Sequence, residues 1–414
     1  MTDDRGPDSG SATRNRVGPA GFVIGMGLVS ALTDVVYEGT RAVIGPYLVL
    51  LGASAGTVGL VTGGGEALAL VLRLVTGPVA DRTRRPWPQV ALGYGLTAVC
   101  VPLLALTGAV WPAAALYLGE RLGKAVRTPA RDVMLAHAAA SLGRGRAFGL
   151  HKLLDQTGAV VGPLLVAAAL LAHPDGYRTG FLLLGGGGLL ALVALSRLRR
   201  LAPVPADWEP GADVAESKRL RFGTGLGTGF LRYQCFSGLT MLGFATWAVL
   251  VVQATAHVGL APAAVPLLYA VAMGAGGVSA LLTGRVYDRR GLRTLAVVPV
   301  LAAAVVALML APSLPLVVVG SVLWGAVVGV QDSTLRAAVA DLVPAGRRGA
   351  AYGAFATVQG LAWWVGSVVV GWLGERSTGL TMTYVVVVQL LALVVLLLPA
   401  RTAATSDRAV PEGH

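Results

Sequence analysis

The sequence predicts an all-α integral membrane protein in which twelve transmembrane helices form two pseudo-symmetric bundles of six. Three observations support this fold class. The 414 residues are 55% hydrophobic and only 13% charged, with a mean hydropathy of +0.70. Apolar runs recur along the chain, and one short basic motif occurs twice, roughly 200 residues apart. A large soluble globule is excluded, because it would need far more charged surface.

The apolar runs divide into about a dozen segments of roughly 20 residues, the length that an α-helix needs to cross a bilayer. Helices are expected because lipid offers no partner for unpaired backbone groups, and no long alternating segment indicates a barrel. The predicted spans begin at Pro19, Ala55, Val90, Trp111, Arg146, Gly180, Thr228, Pro262, Thr294, Leu314, Gly349 and Leu380.

Polarity divides the chain into five parts. Residues 1–18 are polar and lack the apolar stretch and cleavage site of a signal peptide, so a disordered cytoplasmic N-terminus is expected. Residues 19–197 are predicted to form the N-terminal six-helix bundle and residues 226–400 the C-terminal six-helix bundle. Between them, residues 198–225 form a proline-containing cytoplasmic linker, and residues 401–414 form a cytoplasmic tail.

Lysine and arginine concentrate in every second connection. The connections at 51–55, 106–110 and 255–260 carry none, with Arg178 and Arg376 as the main exceptions on that side. The positive-inside rule therefore predicts a multi-pass protein of the inner membrane with both termini in the cytoplasm. The net charge of +12 is explained by anionic lipid at the helix ends, so no nucleic acid is expected as a partner.

The repeated motif belongs to a wider internal duplication. Residues 77–86 read GPVADRTRRP and residues 284–293 read GRVYDRRGLR, while residues 143–149 read GRGRAFG and residues 346–353 read GRRGAAYG. Two six-helix repeats in the same orientation predict a binding site near the membrane midplane between them.

These residues resemble the major facilitator superfamily over essentially the whole chain. Its signature loop follows the second helix, and the matching residues are Gly77, Asp81, Arg82 and Arg85, echoed by Gly284, Asp288 and Arg289. The glycine that usually follows the Asp-Arg pair is absent from the first copy and present as Gly291 in the second. With Arg131, which aligns with Arg336, these residues are predicted to gate the cytoplasmic side, since an aspartate at a helix end can latch onto a cation or a helix N-terminus. Simple membrane anchoring would explain the arginines but not two aligned aspartates.

A second signature lies in the fifth span, where Gly158, Gly162 and Pro163 form G-x-x-x-G-P. It resembles the motif of the antiporter branch, which exports solutes in exchange for protons. Small residues let helices approach closely and proline bends a helix, so these residues are also assigned to gating. Plain helix packing is the alternative.

Charged residues inside the spans concentrate in the first half, and each is costly in lipid unless it is paired or wetted. Asp34 and Glu38 lie one turn apart, with Arg41 three residues further on. Two such carboxylates resist simultaneous ionisation and can carry a proton, whereas a static Glu38–Arg41 pair is the alternative. Arg121 resembles the fourth-helix arginine that is linked to proton movement in proton-coupled members. The candidate proton-coupling residues are Asp34, Glu38, Glu66, Glu120, Arg121 and Asp155.

Aromatic and amide side chains in the second half suit an apolar pocket for an amphipathic or drug-like solute, although the same residue types also serve core packing. Lys124, Arg127 and Arg131 recur at helical spacing and either attract an anionic solute or balance nearby carboxylates. The candidate substrate-binding residues are Arg41, Lys124, Arg127, Phe244, Trp247, Tyr269, Trp324, Gln331, Gln359 and Trp363.

Neither a Walker motif nor a His/Cys metal cluster is present in the sequence, so no catalysis, metal or cofactor is expected. The predicted function is secondary active transport, with proton-coupled efflux of a small amphipathic or drug-like solute by alternating access. The expected partners are this solute, protons and the lipid bilayer, and the expected state is a monomer. The alternatives are a transporter of an anionic metabolite or lipid, and a non-transporting sensor or scramblase on the same fold.

Overall fold

The computed structural model describes residues 15–83, 86–173, 176–208, 227–344 and 347–398. Within these ranges the regular structure is helical, with short 3-10 turns between some α-helices. The α-helices are α1 (Pro19–Leu50), α2 (Ala55–Val71), α3 (Arg73–Thr83), α4 (Pro86–Leu103), α5 (Val110–Ala139), α6 (Arg144–Ala172), α7 (Tyr177–Leu201), α8 (Thr228–Leu242), α9 (Trp247–Val258), α10 (Ala264–Arg290), α11 (Val297–Met309), α12 (Leu314–Leu342), α13 (Arg348–Gly374) and α14 (Thr378–Leu397).

The fourteen α-helices form twelve membrane crossings, because α2 and α3 belong to one crossing and α8 and α9 belong to another. Length and hydropathy alone identify ten candidate spans among the described residues. The difference has two causes. Helix α5 carries too many charges to qualify, and α10 continues through a 3-10 turn into α11 as one stretch of 46 residues. The predicted spans begin within about four residues of the observed helices.

The helices pack as two groups. Helices α1–α7, the N half, join through α1 on α6 and α7 and through α4 on α5 and α7. Helices α8–α14, the C half, join through α10 on α12 and α8 on α13 and α14. The halves meet where α2 contacts α13, α1 contacts α9 and α6 contacts α10. We call the side where α1 and α8 begin the terminal face, and the other side the opposite face.

Glycines set the closest helix contacts in both halves. A Cβ atom at Gly158 would lie 2.2 Å from the carbonyl oxygen of Ala31, and one at Gly162 would lie 2.1 Å from that of Val35. The G-x-x-x-G-P motif therefore holds α6 against α1. In the C half, a Cβ atom at Gly366 would lie 2.3 Å from the carbonyl oxygen of Leu242, which places α13 against α8 in the same way.

The span that begins at Thr228 is interrupted, a feature that the sequence analysis did not predict. Helix α8 ends at Leu242 and α9 begins at Trp247. Side chains from other helices bind the backbone groups that the break leaves unpaired. Tyr384 Oη donates to the carbonyl oxygen of Leu242 at 2.9 Å, Trp324 Nε1 donates to that of Ala245 at 3.2 Å, and Thr246 N donates to Ser367 Oγ at 3.0 Å. The break is stable in an apolar setting because these partners replace helix bonds.

Candidate functional site

A row of polar side chains follows one face of α1. Ser30, Asp34, Glu38 and Arg41 lie three or four residues apart, and we call them the α1 polar row. Ser30 and Glu38 are buried, while Asp34 and Arg41 are half-buried. The row extends from the part of α1 nearer the terminal face to the contact between the halves.

Glu66 of α2 lies at the centre of the buried charges. Its Oε1 atom lies 3.1 Å from Arg41 Nε and 3.2 Å from Arg121 Nη1. Arg41 Nη1 also lies 3.6 Å from Glu38 Oε2, so the Glu38–Arg41 pair exists but is one part of a larger network. Because these groups are almost completely removed from solvent, each charge depends on its partner.

Arg121 of α5 is fully buried in the N half. Its Cζ atom lies 4.0 Å from the ring centroid of Tyr37 and 4.5 Å from that of Tyr117. Its Nε atom lies 3.2 Å from Oε2 of the neighbouring Glu120, which is also fully buried. Two ring faces and two carboxylates thus surround this guanidinium.

The other cations of α5 also contact side chains of the N half. Lys124 Nζ lies 3.4 Å from the ring centroid of Tyr37, and Arg127 Nη1 donates to Thr97 Oγ1 at 2.7 Å. Arg131 Nη2 lies 2.9 Å from Asp132 Oδ1. Arg131 thus pairs with a carboxylate, as the charge-balancing interpretation predicts, whereas Lys124 contacts a ring and Arg127 a hydroxyl group.

A second polar group surrounds Ser30. Its Oγ atom lies 2.9 Å from Tyr94 Oη, 3.0 Å from His151 Nε2 and 3.4 Å from Arg131 Nη1. His151 is therefore a buried residue of α6. Asp155 is buried one turn further along α6 and has Oδ1 without a hydrogen-bond partner. Asp155 also interacts electrostatically with Asp34, which links this group to the α1 polar row.

The predicted aromatic residues of the C half come together opposite Glu38 and Glu66. We call Trp247, Tyr269, Trp324 and Trp363 the aromatic cage. Trp247 and Trp324 have ring centroids 5.5 Å apart, and Tyr269 lies 5.9 Å from Trp324. Phe244, in the break between α8 and α9, stacks on Trp324 at 6.2 Å and on Trp363 at 6.1 Å.

Two hydrogen bonds join the cage directly to α1. Tyr269 Oη donates to Glu38 Oε2 at 2.5 Å, and Trp247 Nε1 donates to the carbonyl oxygen of Ala42 at 3.0 Å. Arg41 Cζ lies 5.7 Å from the ring centroids of both Trp324 and Trp363. Glu38 and Arg41 of the N half are therefore in contact with the aromatic cage of the C half.

The space inside this site is narrow. A crevice with 190 Å³ of empty volume lies between the halves, and its lining residues are Arg41, Ile44, Thr62, Glu66, Tyr117, Thr246, Trp247 and Ala248. A drug-sized ligand needs about 300 Å³ or more, so the crevice is too small for one in this arrangement. Of the candidate substrate-binding residues, Arg41 and Trp247 line the crevice. The other three residues of the aromatic cage do not line it, and Gln331 and Gln359 are buried away from it.

The opposite face is sealed by contacts between α2 and the C half. Thr62 Oγ1 lies 2.9 Å from Thr246 Oγ1, and Trp364 Nε1 donates to the carbonyl oxygen of Leu60 at 3.0 Å. The backbone N–H of Ala55 donates to the carboxylate of Glu375. This bond places a negative charge of the C half at the N-terminus of α2, where the helix dipole favours it.

Removing the Glu375 carboxylate is expected to open the opposite face. Glu375→Ala should raise the rate at which a thiol reagent labels Thr62→Cys, in a Cys235→Ser background, by about fivefold, the equivalent of ~1 kcal/mol for a charge at a helix N-terminus. Arg376→Ala is the matched control, because Arg376 lies in the turn after α13 and stacks on Trp372 of the same half, 3.6 Å from the ring centroid. Equal labelling rates in the two variants would contradict a sealing role for Glu375.

The predicted gating residues of the repeated loop lie near the terminal face. Gly77 and Gly284 have open space where a Cβ atom would be added, and Asp288 and Arg289 are exposed. Residue Arg85 and the side chains of Asp81 and Arg82 lie outside the described residues. Pro163 lies inside the continuous helix α6.

Several residues of the site were missed by sequence reasoning. Tyr37 and Tyr117 enclose Arg121, and helical spacing could have indicated Tyr117, which lies four residues before Arg121. Glu375 and Ser367 carried no local signal, because their partners Ala55 and Thr246 are distant in sequence.

Comparison with known proteins agrees with this architecture. The family model described as the Major Facilitator Superfamily matches residues 20–367 and 235–413. An uncharacterized protein of Mycobacterium tuberculosis is 46% identical over 387 residues, covering 93% of this chain and 94% of that protein. An MFS-type transporter of Methanocaldococcus jannaschii is 28% identical over 172 residues, covering 41% of this chain and 42% of that protein.

Solved structures share the fold at low sequence identity. A peptide transporter has a TM-score of 0.71 at 16% identity, covering 93% of this chain and 95% of that chain. A nucleoside transporter has a TM-score of 0.70 at 13% identity, covering 90% of this chain and 99% of that chain. Because the family match spans most of the sequence and the helices adopt the corresponding fold, this chain belongs to the Major Facilitator Superfamily and is a multi-pass membrane transporter of that type.

Proposed function

We propose that this transporter exports a small amphipathic solute in exchange for protons, by alternating access. The observation that carries the proposal is the hydrogen bond between Glu38 of the N half and Tyr269 of the C half. Protonation of Glu38 would change a contact between the halves. An ion that binds at such a contact can shift the equilibrium between two arrangements of the halves, which is what coupling requires.

The α1 polar row supports a route for the proton. Asp155 lies near one end of the row, and Asp34 has Asp155 and Glu38 as charged neighbours. Glu66 and Glu120 continue the set of buried carboxylates towards Arg121. Buried ionisable groups in a contiguous series are typical of proton pathways through membrane proteins.

The aromatic cage supports an amphipathic solute, because flat apolar faces lie next to carboxylates. An anionic solute has less support, since Lys124, Arg127 and Arg131 each contact ring faces, a hydroxyl or a carboxylate of the N half. The protein is proposed to act as a monomer without a cofactor. Asp81 and Asp288 are proposed as gating residues at the terminal face.

The proposed orientation places the terminal face in the cytoplasm and the protein in the inner membrane. Arginine is abundant where helices meet this face, as in Arg199 and Arg200 at the end of α7 and Arg289 and Arg290 at the end of α10. This distribution follows the positive-inside rule.

Proteoliposomes that contain a pH-sensitive dye test the proposal. Cationic drugs and anionic metabolites are screened against an imposed pH gradient, with Asp34→Asn and the control Asp207→Asn, whose side chain is exposed outside the helical spans. We expect a solute to dissipate the gradient with the wild type and Asp207→Asn but not with Asp34→Asn. Flux that is independent of pH in all three proteins would contradict proton coupling, and no flux of any solute would favour the sensor alternative.

A further inference from the structure

The guanidinium group of Arg41 lies between the two halves. On the side of the N half it contacts Glu66 Oε1 through Nε and approaches Glu38 Oε2 through Nη1. On the side of the C half it faces the rings of Trp324 and Trp363, each 5.7 Å from Cζ. A flat cation is thus held by two carboxylates from one half and two indole faces from the other.

The rings that receive this cation are fixed by contacts that do not involve it. Trp324 Nε1 donates to the carbonyl oxygen of Ala245, and Phe244 stacks on both Trp324 and Trp363, with ring centroids 6.2 Å and 6.1 Å away. Because these contacts already order the rings, binding of a cation between them costs little side-chain entropy.

Arg121 provides an internal comparison. Its guanidinium also lies between two rings, but Tyr37, Tyr117, Glu66 and Glu120 all belong to the N half. Arg121 can therefore remain in place when the halves separate, whereas Arg41 must leave either the carboxylates or the cage. Arg41 occupies a position that has to be vacated in each transport cycle.

We propose that the aromatic cage, with Glu38 and Glu66, binds the flat cationic head group of the transported solute, a guanidinium or amidinium, and that Arg41 occupies this position as an internal ligand when no solute is bound. The inference rests on the proposed function for the statement that the bound cation is transported. It names the class of solute, which the proposed function leaves open.

Binding is measured by isothermal titration calorimetry on the full chain in detergent, with benzamidine as the amidinium probe and benzamide and benzoate as the neutral and anionic isosteres. We expect benzamidine to bind about tenfold or more tightly than either isostere, since only the cation gains the ring faces and carboxylates. Arg41→Ala removes the internal ligand and should bind benzamidine about tenfold more tightly than the wild type, and it should also bind guanidinium itself. If Arg41→Ala does not fold, Arg41→Lys should show the same direction of change, because ammonium lacks the planar fork.

Arg376→Ala is the matched control, since it removes an arginine stacked on a tryptophan outside the site and should bind benzamidine as the wild type does. Tighter binding of benzoate than benzamidine, or unchanged benzamidine affinity in a folded Arg41 variant, would overturn the inference. If benzamidine binds in detergent but no pH-driven flux occurs in liposomes, the proposed function is contradicted and the cation site is supported. If other solutes show proton-coupled flux but benzamidine does not bind, the cation site is contradicted and the proposed function is supported.

Discussion

Glu66→Gln is expected to destabilise the protein more than any exposed carboxylate substitution. Glu66 accepts contacts from the guanidinium groups of both Arg41 and Arg121, and Arg121 is fully buried. Glutamine keeps the shape and one oxygen acceptor but removes the charge. Breaking a buried ion pair in this way typically costs about 3–5 kcal/mol. We expect a clear fall in the thermal unfolding midpoint in detergent, together with loss of transport.

Asp132→Asn is the control for this prediction. Asp132 also pairs with an arginine, but its side chain is 45% exposed, so its loss should cost about 1 kcal/mol or less. A midpoint for Glu66→Gln that equals that of Asp132→Asn would show that Glu66 is not the shared anchor of the two arginines. The double variant Glu66→Gln with Arg41→Gln should recover part of the loss, because one of the unpaired cations is removed with its partner.

Adding a methyl group at Gly162 or Gly366 is expected to have the second largest effect on stability. The two glycines align between the halves, and a Cβ atom at either would overlap a backbone carbonyl oxygen of the first helix of its half. The helices would have to separate, which costs about 1–3 kcal/mol for an overpacked contact. We expect Gly162→Ala and Gly366→Ala to lower the thermal midpoint and the transport rate by similar amounts.

Glycines in open positions provide the comparison. Gly186 in α7 and Gly274 in α10 have no heavy atom within 4 Å of an added Cβ, so alanine should be neutral or slightly stabilising there through its higher helix propensity. If all four alanine variants unfold at the same temperature, close packing at Gly162 and Gly366 is not what holds α1 to α6 and α8 to α13.

The sequence alone predicted the membrane crossings and the half that carries most of the buried charged residues. Hydropathy and charge placement report on each helix separately, so the starts at Pro19, Ala55 and Leu314 were predicted correctly. Asp34, Glu38 and Arg41 of the α1 polar row were also recognised in the sequence, since their spacing is local, whereas Ser30 was not. The contacts of these residues with other helices could not be predicted. Glu66 meets Arg121 from another helix, and Tyr269 meets Glu38 across the halves.

The break after α8 was missed for a related physical reason. Its sequence is apolar, and hydropathy therefore reads it as a continuous span. The backbone leaves the helix there because Tyr384, Trp324 and Ser367 satisfy the freed groups, and all three lie on other helices. Partners so distant along the chain leave no signal in the sequence of the break itself.

The same break has a mechanical consequence. Helix α9 packs on α1 and α2 of the N half and also on α11, α12 and α13 of the C half, whereas α8 packs mainly on α13 and α14. One membrane crossing therefore contacts both halves, and its helix is interrupted at residues 243–246. Because no continuous helix joins the two segments, the 12-residue α9 is free to change its angle to α8 while the close contact between α8 and α13 is kept.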